Sequence, residues 1–312
     1  MKIMSKAEKG VYAASITPVN AAGEPDGDRL VEHSKWLMQQ GLTGVAPLGT
    51  TGEGNSLPFS FRLQVPELFR NAGFDANKVI FGTGACAAGD AIEVTRAVLA
   101  AGFNNALVLP PFYYKNVSED GVFNYYEQLI NSVGSDSLRV YLYHFPKLSM
   151  TPITVELIKR LKKEFGPIIA GLKDSSGDYK GTLEFVAAAD EFDVFPGTEA
   201  VLVDGAKDGC VGSISATSNA SAALTAATYA ALGTAKAQEL QQTLAAVRLA
   251  IAEFPLSAAL KQIEAWRRED DSWRAVLPPN TVLSDAQAKQ LRRSLESFDP
   301  STGVLTEHRA AS

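Results

Sequence analysis

The feature that most constrains this chain is a repeated alternation of short apolar runs with stretches of helical period. Eight runs rich in β-branched residues, each closed by Gly, Pro, Ser or Thr, follow one another in order. They are VYAASITP from Val11, GVAPLG from Gly44, KVIFGTG from Lys78, ALVLPP from Ala106, RVYLYHFP from Arg139, PIIAGLKDSS from Pro167, DVFPGT from Asp193 and GCVGSIS from Gly209. The runs are near-continuously apolar, the pattern of parallel strands covered by helices. Between them, Leu30, Val31, Leu37 and Met38 form one apolar face that Gly41 would terminate. Ala91, Val94, Val98 and Ala101 form another before Gly102, and VELIKRLKKEF sets Leu157, Ile158 and Leu161 against a basic outer face of Lys159, Arg160, Lys162 and Lys163.

Eight βα units in about 220 residues fit a closed (β/α)8 TIM barrel better than an open doubly wound sheet. The first strand runs into TPVNAAGE, not the G-x-G-x-x-G of a dinucleotide-binding turn. After Ser215 the strand signal stops, and an Ala/Leu-rich stretch from Ala220 to Ala252 leads into helical segments through Glu264 and Leu291. The pattern predicts a barrel over residues 1–222 carrying the active site, a helical extension over 223–312, and a tail from Ser297 that frays.

Charge narrows the partners. Against 29 Lys+Arg stand 35 Asp+Glu, a net charge of −6, so no basic excess exists to neutralise nucleic-acid phosphates. With 46% hydrophobic and 21% charged residues the chain has the balance of a globular protein. The start, MKIMSKAEKG, has no apolar h-region, and no run of eighteen apolar residues follows, so a cytoplasmic protein without membrane partners is expected. Cys86 and Cys210 are too far apart for a paired motif and read as buried small hydrophobes.

In a parallel barrel the chemistry collects at the carboxyl ends of the strands. The second strand ends in GTTGEG, Gly49 to Gly54, a tight turn whose amides and Thr50 and Thr51 hydroxyls suit a carboxylate or phosphate; such a turn also serves as plain punctuation. The sixth strand carries Lys173 towards the barrel mouth, as a Schiff-base nucleophile or as the ion-pair partner of Asp174 or another carboxylate. The fifth ends in YHFP, and Tyr143, one βα unit before Lys173, is a candidate proton shuttle or a core tyrosine. Tyr113 and Tyr114 in PPFYYK are rim aromatics or an interface anchor. His33, His144 and His308 are scattered, no cluster has metal-ligand spacing and no G-x-S-x-G elbow occurs, so neither a metal nor another cofactor is expected.

Together, GTTGEG after strand two, Tyr-x-x-Pro after strand five and G-L-K-D after strand six resemble the dihydrodipicolinate synthase and N-acetylneuraminate lyase family, over about Gly10 to Asn219. The resemblance implies a class I, metal-free lyase that handles pyruvate or another 2-oxo acid and an aldehyde. It maps the imine-forming lysine to Lys173, the proton-shuttling tyrosine to Tyr143 and the hydroxyl pair to Thr50 and Thr51 beside Gly49. It maps pocket positions to Gly197, Gly212 and Ser213, and the tyrosine that reaches into a partner's site to Tyr113, with Tyr114 close by, so a homodimer or homotetramer is expected. Synthases of the family carry an arginine where this chain has Leu148, with Lys147 adjacent. Sialic-acid lyases carry an acidic pair where this chain has Glu199 and Ala200. His144 replaces the usual asparagine of Tyr-Asn-x-Pro. YHFPKLSMTPIT and GLKDSSGD look most like the branch acting on 2-keto-3-deoxy sugar acids, which favours retro-aldol cleavage of such an acid. The alternatives are dihydrodipicolinate synthesis, dehydration of a keto-deoxy sugar acid, and a binding protein without turnover.

Overall fold

The computed structural model describes residues 6–20 and 22–305. The strands are β1 (Gly10–Ala13), β2 (Gly44–Val45), β3 (Phe81–Gly82), β4 (Asn105–Val108), β5 (Arg139–His144), β6 (Ile169–Asp174), β7 (Asp193–Pro196) and β8 (Gly212–Ser215). The helices are α1 (Gly27–Gln39), α2 (Phe59–Asn71), α3 (Ala88–Ala100), α4 (Glu119–Val133), the single turn α5 (Pro146–Ser149), α6 (Val155–Phe165), α7 (Tyr179–Val186), α8 (Leu202–Lys207), α9 (Ala222–Ala230), α10 (Ala235–Ala252), α11 (Leu256–Arg268) and α12 (Asp285–Glu296).

All strand pairs are parallel, in the orders β2-β1-β8 and β3-β4-β5-β6-β7. Two seams join them. Ile80 N donates to Val45 O (3.1 Å) and Gly82 N to Pro47 O (2.9 Å) across one, and Val211 N donates to Val194 O (3.0 Å) across the other. The result is the closed TIM barrel expected from the alternation. Its interior is filled by Tyr12, Ile80, Leu107, Tyr141, Phe195 and Ile214, with Phe195 edge-on to Tyr12 and Tyr141 at 5.8 and 5.9 Å between ring centroids. At the amino ends of the strands the segment before β1 closes the barrel, since Tyr12 Oη donates to Glu8 O (2.6 Å) and Tyr141 Oη accepts from Ala7 N (3.1 Å). Among the described residues the other end is the one left open, and a cavity lies there.

The predicted helical faces form as read. Leu30 and Leu37 of α1 are buried, and Gly41 takes a φ of 96° just past its end. In α6, Leu157, Ile158 and Leu161 are buried and the Thr154 hydroxyl accepts from Leu157 N (3.0 Å) as the N-cap. Its outer face is not simply solvated, however. Arg160 pairs with Glu119 (3.0 Å) and Asp120 (2.7 Å), and Lys162 Nζ donates to Ile169 O (3.0 Å).

Several expectations are corrected. Cys86 is exposed, while Cys210 is buried. The expected boundary at 222 falls on the first residue of α9, which packs on β1 and α8 and is the eighth helix of the barrel, so the barrel runs to Ala230. The later helices are no separate unit: Leu244, Val247, Ile251, Ile263, Leu291 and Leu295 share one hydrophobic core with Val11 and Val45 of the barrel strands. The tail does not fray through Leu305, because Val304 is buried and its carbonyl accepts from Arg267 Nε (3.0 Å). His308 lies outside the described residues, as does the start of MKIMSKAEKG. Among the described residues no single helix is long and apolar enough to cross a membrane.

The helix α11 ties these parts together. Arg267 donates to Asn219 O (2.9 Å) after β8 and pairs with Glu264 (2.5 Å), and Arg268 reaches Glu32 of α1 (2.7 Å). Beside them sits His33 of α1, fully buried, with Nε2 3.0 Å from Asn219 Oδ1 and Nδ1 3.6 Å from Glu264 Oε2. Burial holds its imidazole down from the ordinary 6.5 to about 4, against the pull of Glu264 and with Arg267 and Arg268 opposing a further charge. The unfolded chain therefore takes up this proton first. Stability from the neutral ring is full above about 6.5 and is lost as the pH falls towards 4. Denaturant unfolding between those values should show the wild type losing roughly 3 kcal/mol more than His33→Gln; parallel stability curves would refute this account.

Candidate active site

The open end of the barrel gathers residues from five strand ends, those of β2, β5, β6, β7 and β8. Lys173 is the fifth residue of β6, and the parallel register pairs it with Tyr143 of β5, so both side chains project to the same side of the sheet. Each is 4% exposed, and Lys173 Nζ lies 4.5 Å from the centroid of the Tyr143 ring. The Tyr143 hydroxyl is 3.4 Å from Thr50 Oγ1. The ion pair of Lys173 with Asp174, left open by the sequence, does not form. Asp174 accepts instead from Ser176 N (2.8 Å) and Thr182 Oγ1 (2.6 Å), and among the described residues Lys173 has no carboxylate partner.

The turn after β2 is held in a conformation it would not choose alone. Leu48 and Glu53 both have left-handed backbones, with φ of 64° and 56°. Gly54 packs so closely that a Cβ there would stand 2.1 Å from Leu48 O. Such geometry persists where the surroundings over-determine it. Here the Glu53 carboxylate, buried, pairs with Lys261 of α11 and accepts from Leu277 N (2.6 Å) and Asn280 Nδ2 (3.3 Å). Lys261 Nζ also donates to Ala275 O (2.8 Å), and burial pushes its ammonium below the ordinary lysine range against the pull of Glu53. Two further bonds fix the turn, from Thr17 Oγ1 to Gly52 O (2.7 Å) and from Ser257 Oγ to Thr51 O (3.1 Å). Thr50 is thereby set against the Tyr143 hydroxyl, and both threonines line the same cavity as Tyr143 and Lys173.

These groups line a cavity of about 530 Å³, within the range of small-molecule sites. Thr50, Thr51, Tyr143, Lys173 and Gly197 form its floor, and Phe145, Lys147 and Leu148 stand on its β5 side. The far side is one the sequence did not suggest: Arg248 and Leu249 of α10, with Leu256 and Ser257 of α11. A signal for Arg248 does exist, since it is the lone charge within LAAVRLAIA. Glu53 and Lys261 were missed for a different reason, because their meeting joins distant parts of the chain.

Other expected positions lie elsewhere. Gly49 does not line the cavity; its carbonyl accepts from Gly54 N (3.0 Å) within the turn. Gly212 and Ser213 open β8 rather than end it, far from the mouth. Gly212 serves close packing, as a Cβ there would meet Gly10 O at 1.8 Å, and it is Ala216 after β8 that reaches the cavity. Glu199, where sialic-acid lyases carry the first of their acidic pair, is fully buried and accepts from Ser215 Oγ, Thr217 Oγ1 and Arg248 Nη1 (3.1 Å). His144 turns away from the cavity, its Nδ1 accepting from Ile153 N (3.0 Å) while its ring lies edge-on to Phe185. Burial holds this imidazole below the ordinary histidine range, with Asp174 pulling the other way. Tyr113 and Tyr114 are outside the cavity of their own chain, each 75% exposed and edge-on to one another.

The chain is similar to known proteins over most of its length. The model of the dihydrodipicolinate synthetase family matches residues 7–298. A DapA-like lyase of Chloroflexus aurantiacus is 32% identical over 290 residues, 92% of this chain and 96% of the relative. A 4-hydroxy-tetrahydrodipicolinate synthase of Rhizobium meliloti is 34% identical over 248 residues, 78% of this chain and 82% of the relative. Among solved structures, YagE of E. coli K12, a prophage protein of the dihydrodipicolinic acid synthase family in complex with pyruvate, superposes with a TM-score of 0.86 at 25% identity, covering 95% of this chain and 99% of its own.

The buried pair under the turn makes a direct prediction. Glu53→Gln should strand an uncompensated lysine and cost about 3–5 kcal/mol in denaturant unfolding, as should Lys261→Met for the stranded carboxylate. The double variant should recover most of that loss. Single variants within about 1 kcal/mol of the wild type would show that the pair does not hold the turn.

Proposed function

The chain belongs to the dihydrodipicolinate synthetase family, whose members are lyases, and on that premise we propose that it forms an imine with a 2-oxo acid at Lys173. The reaction favoured is reversible aldol cleavage of a 2-keto-3-deoxy sugar acid to pyruvate and an aldehyde. The observation that carries the reading is the state of Lys173: an amine buried at the mouth of the barrel, without a carboxylate partner among the described residues, against the ring of Tyr143. A lysine kept only for packing or charge would be paired.

In this reading the Lys173 amine adds to the C2 carbonyl carbon, and the carbinolamine hydroxyl leaves as water with the proton of Tyr143, which leaves a protonated imine and a Tyr143 phenolate. The C3–C4 bond then breaks, its electrons pass into the imine to form an enamine, and the proton of the C4 hydroxyl leaves to Tyr143 as the aldehyde forms. Protonation at C3 and hydrolysis release pyruvate and the free amine. Thr50 and Thr51, with the amides of their turn, hold the C1 carboxylate. Pyruvate in the complex of YagE supports the choice of 2-oxo acid. Leu148, apolar on the cavity wall, weighs against dihydrodipicolinate synthesis, the reaction named for the Rhizobium relative; dehydration of the same sugar acid would use the same imine.

The exposed Tyr113 and Tyr114 support a homodimer or a homotetramer built on it, with Tyr113 entering the partner's cavity. Sedimentation should give a dimer or tetramer mass, and a fully active monomer would refute the assembly. The imine is tested by borohydride reduction in the presence of pyruvate followed by mass spectrometry. An adduct on Lys173, absent in Lys173→Ala, is expected, and Tyr143→Phe should lower kcat by about 10²–10⁴-fold. Failure to trap wild-type protein would overturn the reading, as would tight 2-oxo acid binding in calorimetry without turnover of any 2-keto-3-deoxy acid or of pyruvate with aspartate semialdehyde.

A further inference from the structure

The cavity holds more positive charge than a single carboxylate requires. Lys173, Lys147 and Arg248 all line it. The acids nearby are spent elsewhere, Asp174 on Ser176 and Thr182 and Glu199 on Ser215, Thr217 and one edge of Arg248. In the imine reading the C1 carboxylate is served by Thr50, Thr51 and the turn amides. Lys147 and Arg248 are left over, and of the two Arg248 is the one held in place by several hydrogen bonds.

Its geometry is that of a built anion site. Nη1 is pinned from three directions, donating to Glu199 Oε2 (3.1 Å), Ser215 Oγ (3.0 Å) and Thr217 Oγ1 (2.8 Å). Glu199 is itself fixed, since Gln241 Nε2 donates to its carbonyl (3.0 Å) and to that of Ala200 (2.8 Å). Nε and Nη2 have no hydrogen-bond partner among the described residues, and the side chain is 20% exposed where it joins the cavity wall. A guanidinium clamped by one nitrogen offers its other edge as a rigid pair of donors matched to a carboxylate, and because it is already ordered it loses little freedom on binding. Its guanidinium sits by Glu199 after β7 and Ser215 at the end of β8, beyond Lys173 of β6 in strand order from Tyr143 of β5.

We propose that Arg248 binds a second carboxylate at the far end of the substrate, so that the chain acts on a 2-keto-3-deoxy diacid, acidic at both ends, in preference to the sugar acid of equal length ending in CH2OH. The proposal rests on the imine reading and specifies its substrate class. Leu148 accords with it: the wall beside β5 has no fork for an acid group, and the unused fork is instead on α10.

The test compares kcat/KM for six-carbon 2-keto-3-deoxy acids that differ only at C6, as carboxylate, phosphorylated hydroxymethyl or hydroxymethyl, in wild type, Arg248→Lys, Arg248→Gln and the double variant Glu199→Gln/Arg248→Gln. Pyruvate trapping at Lys173 is measured alongside. The wild type should favour the C6 carboxylate at least tenfold over hydroxymethyl. Arg248→Lys keeps the positive charge beside Glu199 and removes the fork, and should lose about ten- to a hundredfold on the diacid and under threefold on the hydroxymethyl acid, with trapping retained. The double variant, which leaves no buried charge unpaired, should show the same loss of selectivity if Arg248→Gln fails to fold. Equal activity on the two acids in wild type, preference for the phosphorylated acid, or an equal loss on both acids in Arg248→Lys would overturn the diacid assignment while trapping upholds the imine. Absence of trapping in wild type would overturn both.

Discussion

The buried ion pair between Glu53 and Lys261 is the constraint on which the site depends. The turn after β2 contains two non-glycine residues with left-handed backbones and a glycine in sub-van der Waals proximity to a carbonyl for any larger residue, a conformation that local preferences oppose. What holds it is a carboxylate in that turn engaged by a lysine, a backbone amide and an asparagine amide from the region after α10. Such a pair contributes little net stability, because desolvating two charges offsets their attraction. Its value is positional: it admits one placement of the turn, and with it one placement of Thr50 and Thr51 opposite Lys173.

The same argument changes the standing of the C-terminal helices. They resemble an appendage in sequence, since the strand pattern ends before them. In the structure α11 anchors the β2 turn, the segment after β8 and α1 at once, while α10 supplies one wall of the cavity. In the proposed reading the barrel supplies reactive groups on rigid strand ends and the helices beyond it part of the recognition surface, the division expected where one scaffold serves many substrates.

How much of this was legible in the sequence follows the range of the interactions involved. The strands and helices were legible because burial imposes local periodicities, and Gly41 marked a helix end through its positive φ. The partnership of Tyr143 and Lys173 was legible because parallel neighbours in adjacent βα units fall into register. The end of β8 was misread because Gly212, a close-packing glycine at the start of a short strand, looks the same in sequence as a glycine at a ligand. The place of Glu199 was not legible, because only its partners Ser215, Thr217 and Arg248 show that it faces inward. The bond from Ser257 to Thr51 spans 206 residues, and no local pattern announces contacts of that kind.

Charge is distributed to the same end. A chain of net charge −6 has no overall field that would attract an acid substrate, so any attraction is generated within the cavity. In the proposed reading it arises by subtraction: the acids near the mouth are satisfied by hydroxyls, amides and one nitrogen of a guanidinium, while the lysines and the outer edge of that guanidinium keep their charge for a ligand. Glu199 has two consequences in this arrangement. Its negative charge lowers the net potential at Arg248, which weakens attraction for any anion in general. By fixing Nη1 it also dictates the plane of the guanidinium, so the remaining donors favour a planar, forked acceptor over a point charge. Affinity is thereby exchanged for discrimination, the balance a site needs when acids of equal length differ only at one end.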